Sequence, residues 1–405
     1  MNTMKNKRGF FSSKKFMIAL SLLGLYLFST GTSWAIFSFL KGGSSSYLSE
    51  GLESDRLKIE GLPKTEECPI NGMMFTEPER AIWEGRRPIA AMVENHHDSR
   101  PPSGISKADV IYEAVAEGGI TRFLAIFYCN TAAEEVKIAP VRSARVYYID
   151  WASEYGEQPI FMHVGGANDY AGFGETVKEA RALELLETIG WRYPRGNDFD
   201  TTYDSGFPVF WRNYERLEKQ VATEHTMMAS LDAAYKDAEK RGFTNEDENG
   251  DEWDEDFVKW DFVDDNALDS PKAGKISFTF WEDSQFDELY TVDWTYDGVT
   301  NSYLRENGGE KHLDLETDGQ LRAKNVVVVF TKERGPVDKN AHMLYTTVGE
   351  GSVLIFQNGD VIKGTWEKDS RTDRTIFFDE EGDEVSFVRG PIWIEVLPKG
   401  NDVDY

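Results

Sequence analysis

The sequence predicts a mixed α/β (α+β) protein: one N-terminal transmembrane helix, an N-terminal domain of mixed sheet with packed helices, and a mostly β C-terminal domain. Three observations lead to this expectation. A basic N-terminus precedes one long apolar stretch, β-type runs alternate with helical patterns in the first half of the body, and β-type runs dominate the second half. Strands mixed with helices are typical of an α/β or α+β domain.

The composition bounds the class of protein. The chain has 405 residues, of which 40% are hydrophobic and 13% aromatic. This excludes a mainly disordered chain, and at roughly 100–200 residues per domain it suggests two soluble domains. The formal net charge of −27 repels nucleic acid at a distance, so nucleic acid is excluded as a partner. Adaptation to the surrounding medium is an alternative explanation of the acidity.

The N-terminal apolar stretch predicts a membrane anchor. Lys14 and Lys15 precede an uncharged run from Phe16 to Leu40, and roughly 20 apolar residues span a bilayer. The cationic flank predicts a single-pass helix in the cell membrane, with a cytoplasmic N-terminus and an extracytoplasmic body. A signal peptide cleaved after Ala35 is the alternative; the apolar run continues beyond Ala35, which favours a retained anchor.

The chain divides into segments by composition. We predict a cytoplasmic basic tail (1–15), a transmembrane anchor (16–40), a flexible stalk (41–67), an N-terminal α/β domain (68–243), an acidic insert or linker (244–272) and a C-terminal mostly β domain (273–405).

Local patterns predict individual elements of the body. Two β runs around Gly118-Gly119 predict a hairpin, and Asn358-Gly359 between apolar runs predicts another. The predicted helices are 143–155, capped by Ser143, then 175–189 and 223–241, and a buried strand is predicted at 159–164.

Two arginines flank the predicted cap at Ser143. Arg142 and Arg145 would add planar guanidinium groups to the amide N–H groups at a helix N-terminus, which together suit a phosphate or carboxylate. The alternative is that both arginines form internal ion pairs with the many carboxylates of the chain.

A second candidate group surrounds the Gly-Gly turn and consists of Glu113, Glu117 and Arg122. A carboxylate exposed at a cleft beside glycines can act as a general acid in glycan cleavage, although two carboxylates are commoner. The favoured alternative is a turn carboxylate paired with Arg122.

Several histidines follow predicted strands or open a helix. His163 ends a buried strand, Asn95 and His96 follow another, and His225 opens the predicted helix 223–241. Ligand sites lie beyond strand ends in α/β sheets, and histidine carries protons and binds metals. No histidine pair has i, i+4 spacing, so we predict no metal site and expect structural roles for at least half. No nucleotide, zinc-hydrolase or serine-hydrolase motif occurs, and no cofactor is predicted.

Two further features leave alternatives open. Cys68 and Cys129 could pair outside the cytoplasm, but the apolar run before Cys129 slightly favours a free or buried thiol. The segment Asn245–Asp256 resembles a calcium loop in its alternating oxygen ligands and Gly250, although a solvated acidic insert is favoured.

Several separated motifs recur together and in order. They are Arg87-Pro88-Ile89-Ala90, Asn95-His96, Arg100-Pro101-Pro102-Ser103-Gly104, Asp109-Val110-Ile111-Tyr112-Glu113, Glu117-Gly118-Gly119-Ile120-Thr121-Arg122-Phe123, Pro140-Val141-Arg142-Ser143-Ala144-Arg145, His163-Val164-Gly165-Gly166, Glu224-His225, Gly364-Thr365-Trp366 and Ile392-Trp393-Ile394-Glu395-Val396. This pattern resembles the YerB-like family of bacterial envelope proteins, which is defined by a domain of unknown function. The resemblance implies a two-domain α/β ectodomain on the outer face of the membrane. Its members are typically described as lipoproteins, whereas this chain is predicted to use a transmembrane helix. The family has no settled activity, so the resemblance implies no catalytic residue.

Two functions follow as expectations. The first is a binding or assembly module of the cell envelope that recognises an anionic wall polymer or a partner protein through Arg122, Arg142, Arg145, His163 and His225. The alternative is a peptidoglycan-cleaving enzyme with Glu117 or Glu113 as general acid. The sequence leaves open whether the protein is an enzyme.

Overall fold

The computed structural model describes residue 59 and residues 61–156, 158–193, 195–246, 250–281 and 287–405. The predicted cytoplasmic tail, the transmembrane helix and most of the stalk lie outside these residues. Within the described ranges, no helix is long and apolar enough to cross a membrane. The residues from Pro63 to Tyr405 form one compact unit.

Strands hold most of the regular secondary structure of the body. In the first half they are β1 (Glu66–Glu67), β2 (Met74–Phe75), β3 (Ile89–Glu94), β4 (Val110–Glu117), β5 (Ile120–Phe127), β6 (Lys137–Ile138), β7 (Ile160–His163), β8 (Asp198–Asp200), β9 (Phe210–Arg212) and β10 (Met227–Ser230). In the second half they are β11 (Phe262–Val263), β12 (Lys275–Phe278), β13 (Val292–Asp297), β14 (Ser302–Asn307), β15 (Glu310–Lys311), β16 (Arg322–Ala323), β17 (Asn325–Thr331), β18 (Glu333–Arg334), β19 (Leu344–Tyr345), β20 (Gly349–Gln357), β21 (Asp360–Lys368), β22 (Ile376–Asp379), β23 (Phe387–Val388) and β24 (Ile392–Pro398).

The helices are fewer and short. They are α1 (Glu77–Trp83), α2 (Val146–Ala152), α3 (Ala182–Thr188), α4 (Leu231–Arg241) and α5 (Asp287–Tyr290). The predicted mixture of strands and helices is therefore confirmed, with more strand and less helix than the sequence indicated.

One mixed sheet of ten strands joins the two halves of the chain, in the order β22-β21-β20-β17-β24-β4-β5-β3-β7-β8. The last strand, β24, lies parallel between β17 and β4, with Glu395 beside Glu113. The sheet is buried on both faces along this seam, where strands such as β4 and β24 are almost wholly inaccessible to solvent. Such two-sided burial explains why these strands are apolar runs rather than alternating ones.

Both predicted hairpins are confirmed. Strands β4 and β5 pair antiparallel around Gly118 and Gly119, which both have positive φ. Strands β20 and β21 pair around Asn358 (φ 57°) and Gly359 (φ 77°), as a two-residue turn with two positive φ angles requires.

The helix predictions need three corrections. Helix α2 begins at Val146 after Arg145, and the Ser143 hydroxyl donates to the carbonyl of Val164 instead of capping the helix. The predicted helix 175–189 is a short 3-10 turn followed by α3. The predicted helix 223–241 contains the strand β10 before α4, because Met227–Ser230 pairs with both β6 and β9. In the third case, pairing with distant strands outweighs a helical pattern in the local sequence.

Cys68 and Cys129 form a disulfide, with their Cα atoms 6.0 Å apart. The slight preference for a free or buried thiol at Cys129 was wrong. The apolar run before Cys129 is β5, and it delivers the cysteine to the segment that contains β1. No sequence pattern reports that contact.

Candidate functional site

The carboxyl ends of several strands meet at one edge of the large sheet. Strands β3, β4, β7, β8, β17 and β24 all run in the same direction, as their pairings show. Glu94, Glu117 and His163 therefore end their strands at the same edge. In open α/β sheets this edge is where ligands commonly bind.

An arginine–glutamate cluster, consisting of Glu94, Glu117, Arg122, Arg142 and Arg145, forms at this edge. Nη2 of Arg122 donates to one oxygen of Glu117 at 2.8 Å, and Nη2 of Arg145 donates to the other at 2.5 Å. Both arginines are almost wholly buried, whereas a quarter (25%) of the Glu117 side chain is exposed. These two contacts explain why arginines lie on both sides of the Gly-Gly turn: they neutralise one carboxylate.

Glu94 organises the other half of the cluster. One carboxylate oxygen lies 2.9 Å from Nε of Arg142, and the other lies 2.7 Å from Nδ1 of His225. Glu94 also lies directly across from Arg122 in the pairing of β3 with β5. The sequence analysis did not select Glu94; its position at the end of a strand, next to Asn95 and His96, was the available signal.

The cluster is unsuited to general acid catalysis. Burial alone would raise the pKa of Glu117, but the guanidinium groups of Arg122 and Arg145 outweigh burial and lower the pKa to about 2. At neutral pH, Glu117 therefore carries no proton to donate. The expected role of Glu117 as an acid conflicts with this environment, and the alternative of a turn carboxylate paired with Arg122 agrees with it.

Glu113 is equally unsuited to touching a substrate. Its side chain is inaccessible to solvent and accepts hydrogen bonds from Arg305 at 2.5 Å, Thr121 at 2.6 Å and Asn95 at 3.1 Å. Asn95 is buried in the same network and also reaches Asn307. The expected roles of Glu113 in catalysis and of Asn95 in ligand binding conflict with this burial.

His163 belongs to a separate buried ion cluster. Its Nε2 lies 2.5 Å from a carboxylate oxygen of Asp198, and its Nδ1 lies 2.8 Å from the carbonyl of Gly165. Burial lowers the pKa of His163, but the Asp198 carboxylate outweighs burial and raises the pKa above its usual range. Arg192 pairs with Asp198 and with Asp200, so two cations balance two anions. This arrangement fits a structural role, not the ligand contact expected from the sequence.

His225 and His96 lie at the partly open side of the arginine–glutamate cluster. Their rings stack with centroids 4.8 Å apart, and His96 stacks in turn on His97 at 4.4 Å. Arg142 is 24% exposed there, more than Arg122 or Arg145. Of the residues proposed from the sequence, the structure brings together Arg122, Arg142, Arg145, His225 and His96, and leaves His163, Asn95 and Glu113 in separate buried networks.

A cleft of about 820 Å³ opens beside this cluster, between α2, α3 and the strands β18 and β19. Val146, which directly follows Arg145, contributes to its wall. The charged residues that line it are Lys178, Arg181, Lys332 and Arg334, together with Asp150, Glu179 and Glu184.

The cations of the cleft differ in how they are held. Arg181 donates to Asp169 at 2.8 Å, which fixes its guanidinium group. Among the described residues, no ion pair joins a carboxylate to Lys178, Lys332 or Arg334. Lys332 follows β17 at the carboxyl edge of the sheet, but no sequence pattern linked it to Lys178, which lies more than a hundred residues earlier.

The possible calcium loop cannot be described as a whole, because residues 247–249 lie outside the described ranges. It stays a prediction.

Comparisons with known proteins agree with the two-part organisation. The model of the "Protein of unknown function (DUF3048) N-terminal domain" matches residues 74–244, and that of the corresponding C-terminal domain matches residues 283–394. The chain therefore belongs to this two-domain, YerB-like family of unknown function, as the sequence motifs indicated.

A sequence and a crystal structure of YerB from Bacillus subtilis are both similar to this chain. The "Putative lipoprotein YerB" of Bacillus subtilis (strain 168) is 28% identical over 337 residues, which is 82% of this chain and 86% of the relative. A crystal structure of the YerB protein from Bacillus subtilis matches with a TM-score of 0.63 and 24% identity, covering 84% of this chain and 100% of that one. The structural likeness shows the fold. The predicted boundaries of the individual segments stay predictions.

Proposed function

We propose that this protein is a membrane-anchored, extracytoplasmic binding module of the cell envelope, and that it recognises an anionic wall polymer or an acidic partner protein in the cleft beside α2 and α3. The observation that carries the proposal is the group of four cationic side chains in that cleft, which outnumber its three carboxylates. Among the described residues, three of these cations (Lys178, Lys332 and Arg334) form no ion pair with a carboxylate.

The charge of the whole chain makes this group selective. With a net charge of −27, most of the surface repels an anion, and the field favours approach only where cations are concentrated. Lys178 and Lys332 are exposed, and the fixed guanidinium group of Arg181 lies in the same cleft. Flexible lysines with one fixed guanidinium suit a repeating phosphate or carboxylate polymer better than one rigid small ligand.

Two observations support an extracytoplasmic location. The Cys68–Cys129 disulfide is typical of proteins outside the cytoplasm, where thiols become oxidised. The Bacillus subtilis relative is described as a lipoprotein, which would hold it at a membrane. For this chain we propose that the apolar segment 16–40 serves as a single-pass anchor with a cytoplasmic N-terminus.

Binding is favoured over glycan cleavage because neither proposed acid suits the reaction. The pKa of Glu117 is lowered to about 2, and Glu113 is sealed beneath Arg305. The arginine–glutamate cluster then holds the Gly-Gly turn and the start of α2 in place beside the cleft.

The test is retention of the full chain, purified in detergent, on cell-wall sacculi. Sacculi that keep their phosphate-containing polymers are compared with sacculi stripped of them by acid. Replacing Lys332→Ala together with Arg334→Ala should weaken retention about twofold to thirtyfold, since each exposed ionic contact contributes roughly 0.2–1 kcal/mol.

The matched control is Lys311→Ala with Arg322→Ala, which removes two exposed cations from β15 and β16 outside the cleft. Its retention should equal that of the unaltered chain. Equal losses in both double variants would show that retention depends only on net charge, and the cleft would lose its role. If no sacculi retain the unaltered chain, the polymer is excluded, and crosslinking in intact cells would test for an acidic partner protein.

A further inference from the structure

Three of the six histidines of the chain lie in one stack at the carboxyl edge of the sheet. His97 packs on His96, with ring centroids 4.4 Å apart, and His96 packs on His225 at 4.8 Å. Asp98, whose side chain is 60% exposed, closes the outer end of this stack. Neither the family description nor the proposed binding cleft accounts for this arrangement.

We propose that His96, His97 and Asp98 form a binding site for a divalent transition metal of the zinc class. Their ligand atoms, one nitrogen from each ring and one carboxylate oxygen, all lie within 4.8 Å of one another. Two imidazoles and a carboxylate are a donor set that suits Zn²⁺ and its neighbours and leaves a fourth position for water or an external ligand.

The distances are close to those that a bound ion needs. Nε2 of His97 lies 3.4 Å from one oxygen of Asp98, and Nδ1 of His96 lies 3.9 Å from the other. Zinc–nitrogen and zinc–oxygen bonds of about 2.1 Å at tetrahedral angles separate neighbouring ligand atoms by roughly 3.4 Å. Closing on an ion requires the stacked rings of His96 and His97, whose planes meet at 29°, to rotate until both direct a nitrogen at one position. The partial exposure of His96 (21%) and His97 (31%) leaves room for this rotation.

The backbone of the site is held in place before any ion arrives. His97–Ser99 form a 3-10 turn that follows directly on β3. The amide of His97 donates to the hydroxyl of Tyr290 at 3.2 Å, and Arg216 donates to the carbonyl of Ser99 at 2.6 Å. A fixed turn lowers the ordering cost of binding, because the three ligands come from consecutive residues.

One interaction must be exchanged on binding. Nδ1 of His96 accepts the amide N–H of Asp98 at 3.2 Å, so this nitrogen already presents a lone pair on the carboxylate side of its ring. Coordination of an ion replaces this hydrogen bond. His225 packs on the opposite face of His96, and Glu94 holds His225 at 2.7 Å, which fixes the ring behind the ligand. The spacing of one helical turn that usually indicates paired histidine ligands is absent here, because His96 and His97 are adjacent in the sequence.

The test is calorimetric titration of the full chain in detergent, first stripped with a chelator and then titrated with Zn²⁺ in the presence of excess Mg²⁺. The excess Mg²⁺ occupies exposed carboxylates that bind any divalent cation. Saturable binding of one equivalent of Zn²⁺ under these conditions therefore indicates a specific site. Replacing His97→Ala or Asp98→Asn should each weaken Zn²⁺ binding about tenfold or more, because removing even a residue that only orients a metal ligand costs roughly 10–100-fold in affinity.

The control is His342→Gln, which removes another histidine that is paired with a carboxylate, Asp338, at 2.8 Å. It should leave Zn²⁺ affinity unchanged. Visible absorption of bound Co²⁺ gives a second readout, because its bands report the ligand field and should vanish in His97→Ala. The proposal is overturned if no Zn²⁺ binds above the magnesium background, or if binding persists unchanged in both ligand variants.

Discussion

Arg305 joins the two family regions of the chain, and its replacement tests how strongly they depend on each other. Its side chain is inaccessible to solvent and donates to Glu113 of β4 at 2.5 Å. Nη1 also contacts Nδ1 of His312 at 2.7 Å, and the guanidinium lies 4.8 Å from the ring centroid of Trp393. The change Arg305→Met replaces the guanidinium group by an apolar side chain of similar length and removes the positive charge that pairs with Glu113.

The expected loss of stability depends on the hydrogen bonds that Glu113 keeps when Arg305 is removed. Breaking a buried ion pair by removing one partner costs roughly 3–5 kcal/mol, because the other charge is left without compensation. Glu113 retains its hydrogen bonds from Thr121 at 2.6 Å and Asn95 at 3.1 Å, which favours the lower part of this range. We therefore expect a loss of about 3–4 kcal/mol in the free energy of unfolding.

Combining the change with Glu113→Gln isolates the charge effect. The double variant has no unpaired charge at the pair and should lose only about 1–2 kcal/mol, the net value of one or two hydrogen bonds. Urea unfolding of the chain from Gly42 to Tyr405, followed by tryptophan fluorescence, measures the free energy of unfolding of each variant. Urea is uncharged, so it does not screen the ion pair as a salt would. A loss below about 1 kcal/mol in Arg305→Met, or a double variant as unstable as the sum of the singles, would refute the reasoning.

Two further predictions concern stability. Glu395 is buried beside Glu113, and burial, reinforced by the Glu113 charge, raises its pKa well above the usual value. The folded protein therefore holds a proton that the unfolded chain releases above about pH 4.3, so this group costs stability as pH rises, by up to about 1.4 kcal/mol per pH unit. Trp294 donates to Glu395 at 3.0 Å, and Glu395→Gln keeps an oxygen that can accept this hydrogen bond. The variant should be more stable than the parent protein, by a margin that widens from pH 5 to pH 7. Parallel pH profiles of the urea midpoints would contradict this. Replacing Cys68 and Cys129 by serine opens a loop with a sequence separation of 61 and should cost about 4 kcal/mol on the chain-entropy account. Reducing the parent protein with a thiol should lower its urea midpoint similarly, and an unchanged midpoint in both experiments would show that the disulfide adds nothing.

Local signals in the sequence gave the hairpins correctly and the helices poorly. The Asn358-Gly359 and Gly118-Gly119 turns need backbone angles that these residues adopt readily, so the turn and its flanking strands could be identified together. The helical pattern at 223–241 failed because Met227–Ser230 is held between two other strands. Strand pairing supplies hydrogen bonds and burial that a short helical segment cannot match.

The candidate site shows the same division. The sequence selected Arg122, Arg142 and Arg145 and favoured a turn carboxylate as the partner of Arg122, but it could not identify Glu94 as the partner of Arg142 or Glu117 as the partner of Arg145. An arginine that binds an anionic ligand and an arginine that neutralises a carboxylate of the protein both do so through charge-assisted hydrogen bonds. Burial decides between them, and burial depends on the packing of distant segments.

The sequence by itself determined the family, the composition class and the two hairpins, because each depends on neighbouring residues or on motifs in a fixed order; the anchor at 16–40 stays a prediction. Tertiary structure alone decided that β24 inserts between β17 and β4, that Cys68 meets Cys129, and that Lys178 shares a cleft with Lys332. The physical reason is that these contacts join residues far apart in the chain, and their free energy comes from burial and charge pairing that exist only once the sheet has closed.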